Sequence, residues 1–214
     1  MHADILRMTT AGAGNDHRLG ANEAPPAIIS VFLGDELNAV LNAIETGAKG
    51  TKGAAKTALR VGVDTLPALP KDTTDRNRTS PFAFTGNKFE FRSPGSSQSI
   101  AKPNIVINTA VAESLRQYAD ALEGAEDFTQ ALHDLIRSTI KAHKRILFNG
   151  NGYDNHWPRE AERRGLMNLR TTPEALARLL DEKNVRLFEA HGVFSAAELR
   201  SRYEILLENY VKVI

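Results

Sequence analysis

The chain contains no cysteine, which excludes a disulfide framework, thiolate zinc sites and thiol catalysis and makes the reducing cytoplasm its natural compartment. Neither sign of charge dominates. Lys plus Arg number 27 against 26 Asp plus Glu, a net +1 at pH 7, so there is no surplus for a phosphate backbone or an anionic membrane, and neither nucleic acid nor membrane is an expected partner. No apolar run approaches the roughly 20 residues of a membrane helix, and residues 1–20 lack the charged and apolar regions of a signal peptide. What is present is 214 residues, 42% hydrophobic and 25% charged. This is a globular composition of one ordinary domain, or a domain with an appendage, with ample core.

The text changes character near residue 105, from glycine-rich and strand-like to almost continuously helical. The expected fold is therefore α+β and predominantly helical, with a small antiparallel sheet in residues 1–104 followed by a helical bundle in residues 105–214. Met1-His2-Ala3-Asp4-Ile5-Leu6-Arg7-Met8 reads as an ordered element that begins in its middle. Residues 27–33 suit a buried strand. Asp35 reads as the N-cap of a helix carrying Leu37, Val40, Leu41 and Ile44 and stopped by Gly47. Between Gly47 and Arg60, glycines alternate with Ala, Thr and the basic Lys49, Lys52, Lys56 and Arg60, a pattern that fits a phosphate-seeking loop or a solvated excursion. It does not match a Walker A loop, because Lys52 stands where the second Gly is required.

Phe82-Ala83-Phe84 and Lys88-Phe89-Glu90-Phe91-Arg92 flank Thr85-Gly86-Asn87, predicting a β-hairpin. Period-two alternation puts Phe89 and Phe91 on one face, taken as the core face, and Lys88, Glu90 and Arg92 on the other. Further on, residues 108–122 carry a stripe of Val111, Leu115, Tyr118 and Leu122, and the next helix one of Phe128, Leu132, Leu135, Ile136 and Ile140. After a loop at 150–155, Pro158 and Thr172-Pro173 open short helices, and residues 184–192 suit another. Ser195-Ala196-Ala197-Glu198 is a capping box for a last helix carrying Leu199, Tyr203, Leu206, Leu207 and Tyr210.

Three clusters carry chemistry. Asn15-Asp16-His17-Arg18-Leu19-Gly20-Ala21-Asn22-Glu23-Ala24-Pro25-Pro26 is polar, then stiffened by proline just before a strand. Such loops hold binding groups or plain surface turns. Asp75-Arg76-Asn77-Arg78-Thr79-Ser80-Pro81 presents two guanidiniums, whose planar forks suit phosphate or carboxylate. The Lys88, Glu90 and Arg92 face could hold Mg²⁺ beside phosphate oxygens if it lined a cavity. Facing water, it would be an ordinary solvated sheet surface.

Together these clusters resemble the C-terminal half of a glutamine synthetase catalytic domain of the long bacterial type III form. The first motif, continued through Ala27-Ile28, is similar to that form's signature around a substrate arginine and a flap glutamate. Asp75 through Phe82-Ala83-Phe84-Thr85-Gly86-Asn87 to Arg92 is similar to its nucleotide and metal strand. The tail from Ala142 through Asn149-Gly150-Asn151-Gly152-Tyr153 to Ile214 resembles its helical C-terminus.

The resemblance implies an ATP-dependent ligation of ammonia to L-glutamate through γ-glutamyl phosphate, with Mg²⁺ or Mn²⁺. It implies that Arg18 binds the glutamate carboxylate and that Glu23 closes the site and accepts a proton from the ammonium-derived adduct. Arg78, with Arg76, would hold ATP phosphates and stabilise the transferring phosphoryl group. Lys88 would lie near the nucleotide, Glu90 would ligate metal, and Arg92 would contact glutamate or the transferred phosphate. The spacing from Arg18 to Glu23 is one residue shorter than in the family's shorter forms.

The family assembles as rings of subunits, so a homo-oligomer is implied. Its metal carboxylates and the neighbouring subunit's contribution precede a segment of this kind, which implies that the chain alone makes no glutamine. It also implies an unpaired sheet edge, which favours association. A guanidino-kinase-like phosphotransferase is a competing enzyme class, and a non-catalytic helical assembly module is the competing non-enzyme reading.

Overall fold

A computed structural model describes residues 1–21, 23–47, 58–59, 69–70 and 79–214 of the chain. Its elements run α1 (Ala3–Thr9), α2 (Ala13–Arg18), β1 (Val31–Phe32), α3 (Gly34–Thr46), β2 (Ala58–Leu59), β3 (Leu69–Pro70), β4 (Phe82–Phe84), β5 (Phe89–Phe91), α4 (Ala101–Leu122), α5 (Phe128–His143), α6 (Trp157–Arg163), α7 (Thr172–Ala177), α8 (Glu182–Ala190) and α9 (Ala196–Val213). Helices predominate over a small sheet, as the α+β expectation holds.

The expected hairpin is present. Phe82 pairs with Phe91, Ala83 with Glu90 and Phe84 with Phe89, and Gly86 takes the turn at φ +95°, where a Cβ would be strained. The sheet is mixed rather than purely antiparallel, because β1 joins β4 in parallel. The chain returns 116 residues later to cover the other edge of β1: Phe148 N–H donates to Val31 O at 2.9 Å, and Leu33 N–H donates to Asn149 Oδ1 at 3.1 Å. β2 and β3 form a separate antiparallel pair. Of the basic segment from Gly47 to Arg60, residues 48–57 and 60 lie outside the described residues.

Among the described residues, two apolar clusters hold the structure. In the larger, Ile5 and Met8 of α1 pack with Val106 of α4, Leu176 of α7, Phe188 of α8 and Leu199 of α9, so helices from both sides of residue 105 share one core. Each fully buried side chain of this size contributes about 1.5–3 kcal/mol. In the smaller, Ile28, Trp157 and Ala161 pack with Phe148 and Leu166, and Trp157 stacks on Phe148 with centroids 3.6 Å apart. This cluster fastens the sheet to α6.

Several local expectations need correction. Asp35 lies in the first turn of α3, whose cap position is Leu33 with no side-chain bond. Gly34, at φ +80°, makes the entry turn instead. Residues 15–18 end a short helix, α2, rather than forming a loop. α4 begins at Ala101 and buries Pro103, Val106, Thr109 and Ala110, whereas the expected stripe of Val111, Leu115 and Tyr118 is exposed. The helix is 22 residues long, and its buried positions all lie between Pro103 and Ala110, where α1 packs against it. Thr171 and Glu174 form a second capping box ahead of α7, beside the expected one at Ser195 and Glu198.

Candidate functional site

The polar motif at residues 15–26 is held from beneath. Asn15 is 3% exposed, and its amide donates to Thr10 O at 2.7 Å and to Ser93 O at 3.2 Å. It ties the end of α1 to the exit of β5. The Asp16 carboxylate accepts from Thr172 N–H at 2.9 Å and Thr172 Oγ1 at 2.8 Å, so α7 is locked onto α2. Asp16 also raises the Tyr210 phenol's pKa through a hydrogen bond, which brings in α9. Arg7, 2% exposed, donates to Leu169 O at 2.8 Å and lies 3.9 Å from Asp16. Burial lowers the Arg7 pKa while Asp16 and Glu174 oppose the shift.

On this base, Arg18 extends from the end of α2, donating to Asn15 Oδ1 at 3.0 Å and to Ser93 O at 2.5 Å. Ser93 follows Arg92 directly, so the fold brings Arg18 to the end of the strand that bears the charged face. On that face Glu90 is clasped from both sides. Lys88 Nζ lies 3.0 Å from Oε1, and Arg92 donates through Nε and Nη2 to Oε2 at 3.0 and 2.9 Å. The side chains of Lys88, Glu90 and Arg92 are 60%, 36% and 19% exposed. Burial lowers the Arg92 pKa.

The assignment of inward and outward faces is corrected. Ala83, paired with Glu90, is 0% exposed, while Phe89 on the opposite face is 52% exposed. Phe82, Phe84, Phe89 and Phe91 form a cross-strand cluster with ring centroids 5.2–6.0 Å apart. Aromatic size did not decide which side packs inward; the neighbours available to each side did.

Glu23 sits exposed near the tip of a loop whose base is closed by Gly20 N–H donating to Ala24 O and Pro25 O, both at 3.1 Å. Gly20 has φ +81°, which explains a glycine there. The Tyr153 phenol, from the 150–155 loop, donates to Glu23 O at 2.8 Å. Asn22, Arg76 and Arg78 lie outside the described residues. The structure thus joins Arg18 to the Lys88, Glu90 and Arg92 strand and puts Glu23 on its own loop.

Sequence reasoning missed Tyr153, Thr172 and Gln98, which accepts from Asn15 at 3.2 Å. Each meets its partner across more than 80 residues of chain, where periodicity and spacing carry no signal.

The chain is 50% identical, over its whole length, to the type-3 glutamine synthetase of Dictyostelium discoideum. It belongs to the glutamine synthetase family. A glutamine synthetase of Butyrivibrio fibrisolvens is 47% identical over the whole chain, and one of Bacteroides fragilis 43% identical over 97% of it. The family model for the glutamine synthetase C-terminal domain matches residues 131–214, from α5 to the last residue. The chain spans 29–30% of the length of these glutamine synthetases.

As a metal site, the face is incomplete. Among the described residues no group of three His, Asp or Glu side chains could hold a metal ion, and both Glu90 oxygens already engage cations. A hard divalent ion takes about six oxygen ligands, so these residues do not by themselves fit one. No described helix is long and apolar enough to cross a membrane.

Proposed function

We propose that this chain supplies part of a glutamine synthetase active site, at which the γ-carboxylate of L-glutamate is phosphorylated by ATP and ammonia then displaces phosphate. The observation that carries this reading is the meeting of Arg18 with the end of the Lys88, Glu90 and Arg92 strand at Ser93, in a chain half identical to a type-3 enzyme. Arg18 holds a glutamate carboxylate: its Nε and Nη2 edge is fixed by Asn15 and Ser93, a geometry that orients the rest of the planar fork. Arg92 contacts glutamate or the transferred phosphate. Arg76, Arg78 and Lys88 serve the nucleotide, with Arg78 stabilising the charge that develops during transfer. Glu23 removes a proton from the ammonium-derived adduct and shields the acyl phosphate from water.

Glu90 is this chain's contribution to a cage for Mg²⁺ or Mn²⁺, which needs further carboxylates. Residues 1–104 act as the catalytic-domain part and residues 105–214 as the helical region of a cytoplasmic homo-oligomeric ring.

The reading is tested by joining the chain behind the upstream part of the Dictyostelium relative. Glutamine formation is expected from the fusion and not from the 214 residues alone. In the fusion, Glu23→Ala and Arg78→Ala should each lower kcat about 10²- to 10³-fold. Glutamine made by the chain alone above a Glu90→Ala control, or full activity in both fusion variants, would overturn it.

A further inference from the structure

We propose that Tyr153 is a positioning residue that latches the Glu23 loop, which makes the helical region a working part of the catalytic loop rather than an appendage. The proposal rests on the reading of Glu23 as the flap residue.

The loop is closed at its base by the two Gly20 bonds. Beside it, between the loop and residues 152–155, lies a cavity of about 490 Å³ lined in part by Gly20, Pro26, Tyr153, Asn155 and Arg170. The Tyr153 hydroxyl reaches across to the tip and donates to the Glu23 carbonyl at 2.8 Å. Because the acceptor is backbone, the Glu23 carboxylate stays available for proton transfer.

The latch is itself held firmly. Tyr153 N–H donates to Asn151 Oδ1 at 3.1 Å, and His156 N–H donates to Asp154 Oδ1 at 2.9 Å. Trp157 N–H donates to Asp154 O at 2.9 Å, and the Trp157 ring is buried against Phe148. A stiff turn anchored on a buried tryptophan thus carries a half-exposed phenol onto a loop 130 residues away. A flap that must open for substrate and close against water requires a bond of this modest strength, made and broken at little cost.

Tyr153→Phe keeps the ring and deletes the donor. In the 214-residue chain, the Gly20, Ala21 and Ala24 amides should exchange with deuterium roughly three- to tenfold faster, as the loss of one hydrogen bond implies, with melting temperature nearly unchanged. Unchanged exchange would overturn the latch. Tyr153→Leu, which removes the ring as well, should give the same acceleration, and a slower loop in that variant would also count against it.

In the fusion enzyme, Tyr153→Phe should raise the ATP hydrolysed per glutamine formed, by a similar factor, while KM for ATP stays constant. A general structural defect would lower both products together, and an unchanged ratio would overturn the positioning role. Glu23→Ala should retain the wild-type exchange rates while losing synthesis. If it retains synthesis, the flap reading and the latch's catalytic consequence fall together, whereas the exchange result stands on its own.

Discussion

Phe188 on α8 and Phe89 on β5 are the same residue in two settings: the first is 1% exposed and the second 52%. Around Phe188 the helices close on one another, with Leu176 and Leu199 also at 1% and 0%. On the hairpin the phenylalanine rings pair across the two strands, and no second layer among the described residues covers Phe89. The helices around Phe188 close a core, although α4 leaves Val111 and Leu115 outside it, whereas the hairpin packs at Ala83 and leaves Phe89 on its aromatic face uncovered. Stability therefore concentrates in the helices around Phe188 and in their junction with the sheet.

The sharpest way to break this contrast is at the junction. Trp157→Ala should cost about 3–5 kcal/mol, because it empties the stack between Phe148 and α6, and chemical denaturation should show one transition shifted for sheet and helices alike. Two separated transitions would mean that the regions fold independently. Next, Asp16→Ala should cost about 1–3 kcal/mol by stranding the buried Thr172 donors. It should also loosen α2, which is seen as faster exchange of the Asn15 and Leu19 amides.

A smaller effect is expected from acid. At Asp4 burial raises the carboxyl pKa, but hydrogen bonds from Lys183 and Asn184 outweigh it and hold the group below its ordinary value. Its folded pKa being depressed, its stabilisation is present above the ordinary carboxylate range and lost as pH falls through the folded value. Melting temperature should decline below about pH 4, and Asp4→Asn should flatten that limb. The smallest effect is predicted for Lys88→Ala: an exposed ion pair contributes roughly 0–1 kcal/mol, so the melting curve should barely move. A loss as large as that of Asp16→Ala would erase the distinction between the two regions.

Local features were legible where the physics is local. The Phe82 to Arg92 hairpin, the Ser195 capping box and the Pro158 helix start depend on turn conformation and on donors a few residues apart, and all are present. The motifs also pointed correctly to the glutamine synthetase family. The Thr171 capping box was equally local and was overlooked. Burial is where the reading failed: alternation showed that Phe89 and Phe91 share a face, but Ala83 and Glu90 share the other, and only the packed neighbours decide which is covered. The same limit explains α4, whose apolar stripe continues beyond Ala110, its last buried residue.

By itself the sequence determined the helical and hairpin periodicities, the balanced charge, the lack of thiol chemistry and the ordered motifs that mark the family. Only the tertiary structure decided that Leu147–Asn149 closes the edge of β1, that Thr172 and Tyr210 engage the motif through Asp16, and that Tyr153 reaches Glu23. The reason is range. Dihedral preference and side-chain alternation act within a few residues, while a hydrogen bond between residues 130 apart exists only once the intervening chain has packed.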